Sequence, residues 1–191
     1  MPAEHALLGL LALTPEAQPG HGYDLARRFA GGQPLGDVLR LEPGMLYHHL
    51  KKLERAGWVA AATEPQPARP ARRTFRLTAS GRAELTRWLG EPVTHTREIR
   101  LEFLVKLYFV RALIPERLPH LLAGQRDVLS GHADSLMDQI ATLTEPEADA
   151  AAIADVAYQR LVLELRLAQT RAAIAWLDRA TSSAPIDDPD A

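Results

Sequence analysis

The chain has 191 residues, 47% of them hydrophobic and none of them cysteine. That length supports one domain with a sizeable core or two small ones, and the absence of thiols excludes a disulfide framework, a zinc-thiolate site and a cysteine nucleophile. A net charge of −2 argues against a polyanionic partner until it is divided: residues 1–90 hold 12 Lys/Arg against 8 Asp/Glu, a balance of +4, and residues 91–191 hold 10 against 16, a balance of −6. A basic front half on an acidic back half is the asymmetry expected if only the front half meets a polyanion.

Ala3 to Thr14 carries Leu7, Leu8, Leu10 and Leu11 as a helical stripe. With no basic leader before it, this stretch reads as an amphipathic helix rather than a signal peptide, and no segment approaches the roughly 20 apolar residues that span a bilayer. A cytoplasmic location is expected. A second short helix is predicted over Gly20 to Ala30, closed by Gly31-Gly32, and a third begins at Pro43 and stops at Gly57. Trp58 to Thr63 and Thr74 to Leu77 have strand character. Between them EPQPARPARR is too rich in proline for a strand interior and reads as a basic hairpin tip. Thr78 is placed to cap a fourth helix, Ala79 to Leu89.

Gly90-Glu91-Pro92 is the expected domain boundary, and all beyond it is predicted helical. Thr96 is expected to cap a helix from Arg97 to Leu113 in which FLVKLYFV is apolar on nearly every side, the mark of a helix buried all round. A helix over about Glu116 to Leu143 follows, with the stripe Leu118, Leu122, Gln125, Leu129, His132, Leu136, Ile140 and Leu143. Thr144 and Pro146 start the last helix, whose stripe is Ile153, Val156, Leu163, Leu167, Ile174 and Leu177, interrupted by Arg160 and Thr170. Spacings of three and four recur in both helices, as in a coiled-coil seam. The tail SSAPIDDPDA is polar and acidic and is expected to be disordered.

The expected fold is therefore mainly α: an N-terminal winged helix-turn-helix with a small two-stranded β-wing over residues 1–90, an all-helical dimerisation domain over 91–181, and a tail over 182–191. In the third helix Leu46, Leu50 and Leu53 face inward, while Met45, His48, His49 and Lys52 are expected on the opposite face with Lys51 and Arg55 to one side. An α-helix fits the major groove of DNA, and its N-terminal half usually reads base edges. Lysine and arginine further along hold phosphates, and Arg69, Arg72 and Arg73 on the wing reach the flanking backbone or minor groove. The plainer reading is that this is a solvated basic face. The three-helix-plus-wing order in the basic half of the chain favours DNA.

The motifs HGYDLARRF, PGMLYHHLKKLERAGWV and RRTFRLTASGRAEL, following ALLGLLAL, resemble those of PadR-type transcriptional regulators over nearly the whole chain. Gly22-Tyr23 matches that family's glycine-tyrosine pair, Gly44, Leu46 and Tyr47 match its Gly-x-Leu-Tyr motif, and Arg73, Leu77, Thr78 and Gly81 match its passage from wing to helix. Met45 stands where the family usually has a small hydroxyl residue, and His48 where it is often basic. The resemblance implies a regulator that binds double-stranded operator DNA as a homodimer, with C-terminal helices crossing between subunits. Candidate DNA-binding residues are Tyr23, Arg27, Gly44, Met45, Tyr47, His48, His49, Lys51, Lys52, Arg55, Arg69, Arg72 and Arg73. Candidate interface residues are Leu104, Leu107, Tyr108, Val156, Leu163, Leu167 and Ile174.

Trp88, Tyr108, Tyr158 and Trp176 either line a pocket for a small apolar or aromatic effector or are packed core and interface residues. No cofactor, metal or membrane is called for. The seven histidines form no ligand or base pair on one helix face, and no HExxH, phosphate loop or nucleophile elbow is present, so an enzyme is not expected. The function expected is a ligand-responsive repressor on a pseudo-palindromic operator. The alternative is a winged-helix protein adaptor that does not bind DNA.

Overall fold

A computed structural model of the chain describes residues 2–15, 20–66, 69–144 and 150–183. Pro67, Pro146 and the tail from residue 184 lie outside the described residues, as do the side chains of residues 65–71, Arg69 and Pro70 among them. The chain forms two compact units, one of Met1–Glu91 with Arg100–Leu118, the other of Pro92–Ile99 with Pro119–Ala191.

In the first unit α1 (Pro2–Leu13) is the hub. Every residue from Ala3 to Leu11 is buried, including Glu4 and His5. The expected one-sided stripe is thus corrected to burial all round, because three other helices and a sheet pack on α1. The sheet is three-stranded in the order β1-β3-β2, formed by β1 (Gly20–His21), β2 (Val59–Gln66) and β3 (Arg69–Leu77). The wing is β2 with β3; β1 pairs antiparallel with the other edge of β3, Gly20 opposite Phe75 and His21 opposite Thr74. Sequence placed Gly20 and His21 in a helix. Two residues are too few to show a period of two, and α2 proper is Gly22–Arg27.

Helix α3 is Pro43–Arg55, with proline in its first turn and Leu46, Leu50 and Leu53 buried. Its end is a Schellman turn: Gly57 N–H donates to Glu54 C=O and Trp58 N–H to Leu53 C=O, both at 3.0 Å, with Gly57 at φ +73°. The wing strands run further than expected, pairing Val59 with Leu77 at the base, Glu64 with Arg72 and Gln66 with Arg69. Pro65 falls at the register shift between Glu64 and Gln66. A bulge is where a missing N–H costs no ladder bond, so proline ends the regular pairing without ending the strand.

Thr78 caps α4 (Ala79–Gly90), accepting from Gly81 N–H at 3.0 Å. Its hydroxyl also donates to Gly57 C=O at 2.7 Å, tying the start of α4 to the turn that ends α3. A Cβ on Gly81 would lie 2.0 Å from the Trp58 carbonyl oxygen, so only glycine admits this approach.

The single helix expected over 97–113 is three pieces: a 3-10 turn Thr96–Glu98, a π-helical stretch Ile99–Phe103, and α5 (Leu104–Leu113). His95, not Thr96, occupies the cap, with Glu98 closing the box, because the Thr96 hydroxyl is shared with Thr170 at 3.0 Å. Nor is α5 buried all round: Phe103, Val105, Phe109 and Val110 are buried, and Leu104, Leu107 and Tyr108 are half-buried. Phe109 packs on Gly9 of α1, where a Cβ would sit 2.5 Å from its ring. Lys106, in the middle of this apolar run, is 2% exposed. Its ammonium donates to the carbonyls of Trp88 at 2.8 Å and Glu91 at 2.5 Å and lies 4.7 Å from the Trp88 ring centroid. It closes the carbonyl end of α4, the end a cation stabilises.

In the second unit, α6 is Leu118–Ala141, entered by a 3-10 turn Pro115–Arg117, and α7 is Ala150–Ser183. Helix α7 therefore takes in the first two residues of the expected tail. Gln125, fully buried, holds Val93 by both backbone groups: its oxygen accepts from Val93 N–H at 2.7 Å and its amide donates to Val93 C=O at 2.9 Å. Arg126 pairs with Asp178 at 2.7 Å, linking α6 to α7. Among the described residues no helix is long and apolar enough to cross a membrane.

Candidate nucleic-acid interface

Helices α2 and α3 lie against each other, and the contact runs through two of the sequence motifs. A Cβ on Gly22 would lie 2.5 Å from the Tyr47 hydroxyl and 2.8 Å from its ring, so glycine lets the Tyr47 side chain lie across the start of α2. Tyr47 remains 47% exposed, beside Met45 at 51%, and Tyr23 on α2 is 67% exposed. Gly44, His48, Lys51 and Arg55 on α3 and Arg27 on α2 are exposed too. Gly44 has nothing within 4 Å of where a Cβ would be, so contacts inside the chain do not require glycine there.

His49 departs from the expected outward face. It is 4% exposed, and its Nδ1 lies 3.3 Å from Glu4 Oε1 on α1. The same oxygen accepts from Lys52 Nζ at 2.7 Å. Three residues after Leu46 and four before Leu53, His49 falls beside the leucine stripe rather than opposite it. Burial opposes ionisation of Glu4, but the hydrogen bond from Lys52, nearby positive charge and the hydrogen bond from His49 together hold the carboxyl below its usual range. On the wing, Arg72 is exposed opposite Glu64, and Arg73 is paired with Glu54 of α3 at 2.6 Å while its guanidinium lies 5.5 Å from the Phe75 ring centroid.

The positioning residues behind this face carry no local sequence signal. His5 stacks on Trp88 at 4.5 Å with the planes 6° apart, and its Nε2 lies 2.9 Å from Glu84. Two hydrogen bonds from Arg87 (2.9 and 2.7 Å), and then His5, hold the Glu84 carboxyl at a pKa of about 2 against the opposing effect of burial. His5 and Glu84 lie 79 residues apart in sequence, and Glu4 and His49 lie 45 apart, so periodicity does not reveal either pair.

The four aromatics named as a possible pocket are used differently. Trp88 is buried, its indole N–H donating to Glu102 at 2.8 Å. The Tyr108 hydroxyl accepts from Arg28 at 3.0 Å. Tyr158 is 70% exposed on α7, and Trp176, half-buried, lies 18 residues further along the same helix, roughly 27 Å away at 1.5 Å per residue. Of the expected interface residues, Leu163 and Leu167 are already buried within the chain, whereas Val156 and Ile174 are half-buried. Among the described residues no cluster of His, Asp or Glu side chains is placed to hold a metal ion.

Three helices, a wing returning beside them and a groove-sized helix with an open outer face define a winged helix-turn-helix protein. Residues 10–87 match the transcriptional regulator PadR-like family, and residues 99–183 match the virulence activator alpha C-terminal family. The first of these matches makes residues 10–87 a PadR-like regulator domain. It is 37% identical over 97 residues to the probable transcriptional regulator Rv1176c of Mycobacterium tuberculosis, covering 51% of this chain and 48% of that protein. It is 30% identical over 124 residues to the negative transcriptional regulator PadR of Bacillus subtilis, covering 64% of each. The chain thus spans about half and just under two thirds of the length of these two curated relatives. Among solved structures, that of Bacillus subtilis PadR in complex with operator DNA is similar at 24% identity, covering 94% of this chain and 96% of that one with a TM-score of 0.43.

Proposed function

We propose that this chain is a sequence-specific DNA-binding repressor that acts as a homodimer on a pseudo-palindromic operator, with α3 in the major groove. The observation that carries this reading is the outer face of α3, where Gly44, Met45, Tyr47, His48, Lys51 and Arg55 are all exposed while the leucine face is spent on the core. Met45, Tyr47 and His48 lie in the N-terminal half that usually meets base edges, and Lys51 and Arg55 follow where phosphates lie. Repression is the sense in which the Bacillus subtilis relative is named. Dimerisation draws support from α7, where Ala154, Tyr158, Leu161, Leu165, Ala168 and Ala172 are exposed at alternating intervals of four and three, a second heptad seam outside the buried one. Two α3 helices would then meet successive major grooves about 34 Å apart. Effector control belongs to the same reading, with Tyr158 the one of the four aromatics that the chain's own core leaves exposed. The deciding experiment is a salt titration of binding to duplex DNA. Affinity should fall steeply with salt, and Lys51→Ala should flatten the slope by about one unit. Binding absent at low salt would favour a protein adaptor instead.

A further inference from the structure

The seams of the two long helices carry the polar residues Gln125, His132, Arg160 and Thr170, and two of the four have a use in the core. Gln125 clamps Val93, and Thr170 bonds Thr96. Among the described residues His132 has no such partner. It lines a cleft of about 490 Å³ inside the second unit, formed by the turn at 95–97, one face of α6 and one face of α7. Its walls include Arg97, Arg166, His95, Gln139 and Gln169. Among the described residues no carboxylate lines it, although residues 91–191 hold 16 Asp/Glu against 10 Lys/Arg. Glu98, next to the lining, accepts from His95 N–H at 2.9 Å and lies 3.2 Å from His95 Nδ1.

Arg126 and Arg171 in the same unit have partners, Asp178 and the Met137 sulfur. The side chains of Arg97 and Arg166 make no hydrogen bond or ion pair among the described residues. Two guanidinium groups that make no hydrogen bond, two imidazoles, that of His95 paired with Glu98, and two carboxamides face one space whose lining among the described residues includes a single leucine. Guanidinium forks match carboxylate and phosphate in bidentate geometry. The volume lies within the range of small-molecule sites. A long polyanion would be repelled by the acidic surface beyond the cleft, and an apolar ligand would find few partners. The geometry points to this cleft as a binding site for a small polyanion, a metabolite carrying a phosphate or two or more carboxylates. The site is independent of the DNA reading, because its occupancy is measured directly.

The test is calorimetric titration of the full chain with inorganic pyrophosphate and, separately, with citrate, at fixed ionic strength. One saturable site per chain is expected for at least one probe, and which probe saturates tells phosphate from carboxylate recognition. Arg97→Gln with Arg166→Gln should weaken binding by about tenfold or more, whereas Arg126→Gln, outside the cleft, should leave it unchanged. Should the double variant lose its circular-dichroism signal, His132→Asn takes its place and should weaken binding severalfold. Saturation by neither probe overturns the proposal, as does equal loss in Arg126→Gln or no loss in His132→Asn. A cleft filled by a partner copy's carboxylate would give the first of these results.

Discussion

Glu84 helps fasten α4 to α1 through His5, and its ionisation carries a definite sign. Its folded pKa of about 2 lies below the ordinary 4.5, so its contribution to stability is complete above about pH 4.5 and is lost as pH falls toward 2. Glu4, held low by Lys52 and His49, adds to the loss in the same direction. Urea unfolding midpoints of the wild type should therefore drop between pH 5 and pH 2.5, and Glu84→Gln should show a shallower drop from a lower starting value. An unchanged pH dependence in the variant would remove Glu84 from the linkage. Gly44 gives a second residue-scale prediction. A helical glycine with open space around it is less stable than alanine, so Gly44→Ala should stabilise the fold by about 0.4–1 kcal/mol. If that glycine lets the helix approach DNA closely, the same variant should bind DNA more weakly. Thermal unfolding and a binding isotherm on one preparation read both effects, and a variant that gains stability with unchanged affinity would show that Gly44 does not face DNA. At this scale the sequence was least legible. Met45 and His48 are exposed as expected of the outer face and Lys51 to one side of it, but His49, expected there too, is buried: three residues after Leu46 and four before Leu53, it falls beside the leucine stripe, where Glu4 meets it.

The elements were more legible, and the misses have physical causes. Leucine spacing with proline and glycine punctuation located α3 almost to the residue, and the Thr78 cap located α4. Strand β1 was missed because two residues carry no pattern, and the break at Ile99–Phe103 because an apolar run looks alike in π and α windings. Helix α7 holds two heptad patterns on different faces, and two residues of the one read from the sequence, Leu163 and Leu167, are buried within the chain while Val156 and Ile174 are half-buried. The exposed seam is the better test of the dimer. Leu161→Glu with Leu165→Glu places charges on two side chains that are 64% and 60% exposed, so each chain should keep its helical content. Sedimentation should report a monomer, and operator affinity should fall by about two orders of magnitude through loss of bivalence. A double variant that still sediments as a dimer would place the interface elsewhere.

For the molecule as a whole, the chain passes from one compact unit to the other at Glu91–Pro92, within the expected division, but residues 100–118 return to the first unit. Helix α5, beyond that division, belongs to the same unit as α1, with Phe109 seated on Gly9 and Lys106 closing the end of α4. Removing α5 would leave Gly9 and Trp88 without part of their cover. A fragment of residues 1–90 should accordingly fail to unfold cooperatively, whereas residues 1–118 should show a urea transition. Cooperative unfolding of the shorter fragment would make the division at 90 sufficient. Charge asymmetry between the halves and the change from mixed to wholly helical pattern were both legible in the sequence. Which half owns α5 was not, since a hydrophobic run states that it needs cover without stating whose.

The central place of α1 also bears on how the chain is made. The ribosome delivers this helix, which ends at Leu13, well before α5, one of the elements that encloses it, is completed at Leu113. At about 5–20 residues per second, roughly 5 to 20 seconds pass between the two. During that interval the run ALLGLLAL has its neighbours only in part and stays available to other nascent chains or to chaperones. Synonymous codons that slow elongation between residues 14 and 113 should therefore lower the soluble yield of a protein whose sequence, and whose final structure, are unchanged.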